Sequence, residues 1–106
     1  MKAPADRGLA AAMRALETAL TELAAPHMII GGMAVIVRGV SRITDDIDAR
    51  VCAEGLDIAA VLDVLRRHGI DGRIPDAVDF ARTHQVFLLE HQASRTPMEL
   101  SLGWLP

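Results

Sequence analysis

Residues 45–52, Asp-Asp-Ile-Asp-Ala-Arg-Val-Cys, constrain the fold more than any other stretch of the chain. From Asp46 onward polar and apolar side chains alternate. Ile47, Ala49 and Val51 point one way; Asp46, Asp48, Arg50 and Cys52 point the other. That period of two belongs to a strand with one face packed and one face open. Asp45 falls on the opposite face from Asp46 and Asp48 and reads as a solvated turn residue.

The remaining segments supply what such a strand needs. Leu9, Met13, Leu16, Leu20 and Leu23 recur at steps of three and four, which predicts an amphipathic helix over 8–25, ended by Pro26. The apolar run after it is too brief for a helix and predicts a buried strand over 28–30. Gly31-Gly32 then turns the chain into a short helix, 32–38, stopped by Gly39. Leu56, Ile58, Val61, Leu62 and Leu65 mark a helix over 55–68. His68 suits the negative end of its dipole, and Gly69 caps it. Asp71-Gly72 marks a turn, and Pro75 opens a short helix over 75–82. Two strand-like runs around the polar stretch Gln92–Thr96 predict a hairpin over 86–102. In its second arm Met98, Leu100 and Leu102 share one face, with Glu99 and Ser101 on the other. The expected fold is α/β in the α+β sense: one domain over 1–106, a small mixed sheet with helices on one face and an active site on the other.

Composition narrows the function classes. A chain of 106 residues has room for one compact domain. Its hydrophobic share of 51% and charged share of 24% are those of an ordinary folded protein. Aromatics are only 3%, so the core is aliphatic and no row of rings is available for stacking single-stranded nucleic acid. A net charge of −3 and a pI near 5.7 disfavour a grip on duplex DNA, which calls for many phosphate contacts. The lone Cys52 excludes an internal disulfide and a multi-thiolate zinc site, and fits a reducing cytoplasm. Asp6, Arg7, Arg14 and Glu17 interrupt any secretory hydrophobic region at the start. The longest uncharged apolar run, Met28–Val37, is about half of a membrane span.

Three features converge on chemistry. Gly31-Gly32, between a buried strand and an expected helix, is either a tight turn or a close-approach site for an anion at a helix start. Asp46 and Asp48 project from one strand face, about 6.5–7 Å apart at the backbone. They are either a solvated face or a pair that needs a cation, for which Mg²⁺ with substrate phosphates is the natural match. Glu99 lies on the polar face of a later strand; if that strand is a neighbour, three carboxylates converge, as two-metal phosphoryl transfer requires. Arg42 and Arg50 lie close enough to neutralise phosphate charge or to pair with the same aspartates. Arg38 reads as solvated and Cys52 as a small buried thiol. His27, His68, His84 and His91 show no metal-ligand spacing.

The run Ile29-Ile30-Gly31-Gly32-Met33-Ala34, followed by Gly39, Arg42, Thr44 and Asp46-Ile47-Asp48, resembles the nucleotidyltransferase superfamily that includes DNA polymerase β. It looks most like the small bacterial branch, the minimal nucleotidyltransferases and AbiE-type toxin–antitoxin proteins, over about Leu9 to Leu102. The resemblance implies that Gly31 and Gly32, with Arg42 and Thr44, hold a nucleoside triphosphate. It also implies that Asp46, Asp48 and Glu99 bind Mg²⁺ or Mn²⁺ and carry catalysis. The third carboxylate is commonly Asp in that family, and Glu99 reaches one methylene further. Many relatives continue past the position of Pro106 into helices that help bind the acceptor, so the resemblance fits a minimal enzyme, a fragment or a remnant.

Two functional expectations follow. One is an ATP- or other NTP-using, magnesium-dependent transferase of the cytoplasm. It passes a nucleoside monophosphate to a hydroxyl of an RNA such as tRNA, a protein or a small molecule, in a toxin–antitoxin or phage-defence setting. The other is a catalytically weak binding module, an antitoxin or regulatory subunit, that docks a helical partner or a second copy. Trp104-Leu105 is its candidate apolar patch.

Overall fold

The alternating segment is a strand that begins at Ile43 and ends at Val51, one residue short of Cys52, and its apolar side is sealed. The computed structural model describes residues 4–36 and 43–103, with side chains over 8–30 and 46–103. The elements run α1 (Pro4–Glu22), β1 (His27–Ile36), β2 (Ile43–Val51), α2 (Ile58–Arg67), β3 (Ile70–Gly72), α3 (Ala77–His84), β4 (Val86–His91) and β5 (Thr96–Ser101). The strands form one five-stranded sheet in the order β1-β2-β5-β4-β3. β2 and β5 run parallel; every other neighbouring pair is antiparallel. The fold is therefore the mixed α+β class expected.

Parity sorts the sheet into two faces. Ile47, Ala49 and Val51 of β2, Phe87 and Leu89 of β4, and Met98 and Leu100 of β5 are buried. Against them pack Ala12, Leu16, Ala19 and Leu20 of α1, Val61, Leu62 and Leu65 of α2, and Ala77 and Ala81 of α3. Leu9, Met13 and Leu23 sit at the rim of this core. The intervening strand residues Asp46, Asp48, Arg50 and Glu99 are exposed on the face without helices.

Local chemistry sets the ends of the helices. The Asp57 side chain accepts the Ala59 N–H at 3.3 Å and caps α2. Gly69, with φ 79, takes the left-handed turn that ends it. α1 stops at Glu22, short of the expected residue 25, because Ala24 is already left-handed at φ 56. α3 begins and ends two residues later than expected; Gln85, at φ 60, closes it by donating its N–H to the Ala81 carbonyl at 2.8 Å. In the β4–β5 hairpin, Arg95 donates to the His91 carbonyl at 2.8 Å. Buried His91 meets Ser94 Oγ at 2.7 Å, and Ser94 Oγ meets Thr96 Oγ1 at 2.7 Å. Among the described residues no buried side-chain nitrogen or oxygen lacks a partner.

Two expectations are corrected. The predicted strand 28–30 and helix 32–38 are one strand: β1 passes through Gly31-Gly32 and continues to Ile36, and the last residues of the expected helix lie outside the described ones. The register slips between Ile29 and Gly31, so the glycines accompany a bulge instead of a strand-to-helix turn. The partner strand explains the outcome. Residues 43–46 of β2 pair with β1 over Met33–Ile36, whereas the described β5 pairing begins at Ile47, so a helix here would leave that part of β2 without a ladder. Second, Asp71-Gly72, expected as a turn, belongs to β3, in register with Glu90 and Leu89 of β4. A Cβ on Gly72 would lie 2.5 Å from the Ala77 Cβ. Gly72 thus faces the helices and lets α3 approach, while the Asp71 carboxylate accepts from Arg66 of α2 at 2.9 Å and Arg73 reaches toward Glu99 on the open face.

Polar contacts clasp α1 to its neighbours. Glu22 accepts from Arg67 and, at 2.8 Å, meets His68 Nε2, joining the ends of α1 and α2. Glu17 meets His27 Nε2 at 3.1 Å, while His27 Nδ1 bonds the Ala25 carbonyl at 2.9 Å. The Ala25 bond first, then Glu17, raises the His27 pKa; the His27 bond first, then Thr21, lowers that of Glu17. The signs define a window. A raised histidine pKa contributes stability that is complete below its ordinary 6.5 and is lost as pH rises through the folded value. A lowered glutamate pKa contributes stability that is complete above its ordinary 4.5 and is lost as pH falls through the folded value. Between those limits the clasp is whole. Melting temperatures across pH 4–8 are expected to show His27→Asn losing most near pH 5.5 and least at pH 8. A difference independent of pH would refute the clasp.

Candidate active site

β2 displays Asp46, Asp48 and Arg50 on its open side because the alternate residues are consumed by the core. β5 does the same with Glu99, between buried Met98 and Leu100. The parallel pairing sets Asp48 in register with Glu99 and Arg50 with Ser101. Neighbouring strands are ~4.8 Å apart, so Asp48 and Glu99 stand side by side on the exposed face, some fifty residues apart in sequence. Asp46 lies on the same face of β2, one pleat repeat from Asp48.

On the other side of β2, Gly31 is the register partner of Asp48, and Gly32 that of Ile47. The glycine pair therefore offers no helix N-terminus to an anion, contrary to expectation. What it offers is a place without a side chain beside Asp48. Thr44 lies in β2 in register with Val35. Arg42, Arg38 and Trp104-Leu105 lie outside the described residues. Among the ion pairs of the described residues, none joins Arg50 to Asp46 or Asp48. Arg50 is exposed beside Met28, its register partner on β1. Cys52 is half-buried just past β2, with its N–H donating to the Pro26 carbonyl at 2.8 Å.

One member of this face was invisible to sequence reasoning. The Arg73 N–H donates to the Leu88 carbonyl at 3.0 Å, extending the β3–β4 ladder by one residue. Leu88 is in register with Glu99. A single row therefore crosses the sheet from Gly31 through Asp48, Glu99 and Leu88 to Arg73. The Arg73 guanidinium reaches over the Leu88 position to within 3.9 Å of the Glu99 carboxylate. With the two side chains 32% and 59% exposed, solvent screens this pair, and pairs of that kind contribute about 0–1 kcal/mol. The signal for Arg73 in the sequence is the parity of 70–73, which the turn-like pair Asp71-Gly72 obscures.

The donor set suits a hard cation. Carboxylate oxygens with room for phosphate oxygens are what Mg²⁺ takes. The backbone pairing of Asp48 with Glu99 fits such an ion. The Glu99 side chain, however, is turned to Arg73, and among the described residues no three His, Cys, Asp or Glu groups are gathered at one point.

No family model, curated protein or solved structure matches the chain. No helix among the described residues is long and apolar enough to cross a membrane.

Proposed function

We propose that the protein transfers a nucleoside monophosphate from an NTP to an acceptor hydroxyl and releases pyrophosphate. The observation that carries the reading is the meeting of Asp48 and Glu99 across the β2–β5 pair, with Asp46 on the same open face. It is supported by the resemblance of Gly31-Gly32, Arg42, Thr44 and Asp46-Ile47-Asp48 to the nucleotidyltransferase superfamily. Asp46, Asp48 and Glu99 would hold Mg²⁺ or Mn²⁺, which when bound neutralises triphosphate charge and lowers the pKa of an attacking hydroxyl. Gly31 leaves space beside Asp48 for the nucleotide. Arg50 supplies positive charge next to the aspartates. Glu99 either ligates the second ion or takes the acceptor's proton as the acceptor oxygen bonds to the α-phosphorus and the bond to the pyrophosphate oxygen breaks. The acceptor is an RNA such as tRNA, a protein side chain or a small molecule, and the setting is cytoplasmic, in toxin–antitoxin or phage defence.

The test is incubation of the protein with each labelled NTP, Mg²⁺ and a lysate of the cells it comes from. Label is expected to pass to one macromolecular or small-molecule product in a magnesium-dependent way. Absence of both transfer and magnesium-dependent NTP binding rejects the proposal. A second reading, a docking module without chemistry, is favoured by Met28 and Ile30, apolar side chains left 47% and 59% exposed on β1. Partner capture that is lost in a Met28→Ser, Ile30→Ser variant, without NTP binding by the parent protein, selects it.

A further inference from the structure

The row Gly31–Asp48–Glu99–Leu88–Arg73 ends in a cation whose only ion-pair partner among the described residues is a carboxylate of the candidate site. Its backbone is pinned by the bond to Leu88, so Arg73 belongs to the rigid sheet and not to a loose side of the loop. Its guanidinium is a planar fork, matched in shape and charge to phosphate as well as to carboxylate. Glu99 is equally divided. One of its oxygens faces Arg73, while Asp48 stands on the opposite side of Glu99 along the row.

We propose that Arg73 is the phosphate-binding residue at the far end of this face, and that Glu99 holds it until a metal-bound polyphosphate arrives. Two weak contacts exchange together. Glu99 gives up Arg73 and turns toward the cation at Asp48, and the freed guanidinium takes a phosphate oxygen. Arg50 and Arg73 then stand on opposite flanks of the carboxylates, two strand spacings of ~4.8 Å separating Arg73 from Glu99. The exchange also explains how a face with three acids accepts a polyanion: the compensating cation is already in place, masked until needed. Arg73 touches substrate in this scheme as a binding residue, and the choice of ligand rests on the nucleotidyl-transfer reading.

The probes are Mn²⁺ alone and magnesium tripolyphosphate, titrated calorimetrically into the protein and into Arg73→Ala and Arg73→Lys. Arg73→Ala is expected to weaken tripolyphosphate about tenfold, the loss of a charge-assisted bond. Arg73→Lys, which keeps the charge without the fork, falls between and stands alone as the test if the alanine variant does not fold. Mn²⁺ alone should bind Arg73→Ala as tightly as the parent or tighter, since its competitor for Glu99 is gone. A residue that merely braced the sheet would shift both probes together or neither. Unchanged tripolyphosphate affinity, or Mn²⁺ affinity that falls alongside it, overturns the proposal while leaving the transfer reading standing. A parent protein that binds neither probe overturns both.

Discussion

Asp48→Asn is expected to abolish the thermal response of the protein to Mg²⁺ or Mn²⁺ and to cost nucleotide transfer at least about a hundredfold, the upper end for an outer-shell partner of a metal site. Asp48 is exposed, flanked by Gly31 on one strand and Glu99 on the other, and shares its face with Asp46. No other position on the row has both a carboxylate and an open neighbour. In the parent protein a metal at a hundredfold excess over its Kd stabilises by about 2.7 kcal/mol. For a domain of this size that is roughly 10 °C in melting temperature. Without metal the variant should melt no lower than the parent, because it loses one of three like charges. Melting curves with and without metal decide the matter. A variant that retains the shift removes Asp48 from the metal site.

Phe87→Ala is expected to destabilise the fold by about 3–5 kcal/mol. Native domains have only about 5–15 kcal/mol in total, so the variant sits near the edge of folding. Phe87 is fully buried on β4, in register with the equally buried Leu100 of the central strand β5. The other buried hydrophobic residues of the core are all aliphatic. Urea unfolding measures the loss. A cost below about 1 kcal/mol would mean that α2 and α3 settle onto the sheet and close the cavity.

The parts of the molecule that were legible in the sequence are those where one residue period runs long enough to be read. The alternation at 46–51 placed Asp46, Asp48 and Arg50 on the open face, and the alternation at 98–102 placed Glu99 there. The stripe Leu9 to Leu23 announced α1, and Leu56 to Leu65 announced α2. Parity could not say which strands are neighbours. That Asp48 meets Glu99 depends on β5 lying beside β2, a long-range pairing that no local pattern encodes. Gly31-Gly32 misleads for a physical reason: glycine permits a turn but equally permits a bulge, and the choice is made by residues 43–46 of β2, which pair with Met33–Ile36 of β1. β3 was missed because three residues are too few to show a period, and its strand character comes from β4. Arg73 was lost with it.

The central place of β5 has a consequence for the birth of the protein. β5 lies between β2 and β4, yet it is the last strand in chain order among the described residues. On the ribosome, the β1–β2 hairpin and the β3–β4 pair emerge first, each with a bare edge facing the other across a gap one strand wide. Such edges invite wrong partners. Only when residues 96–101 leave the tunnel can the gap be filled, and the same event carries Glu99 to Asp48. The chain therefore cannot set Glu99 beside Asp48 before its sheet is whole.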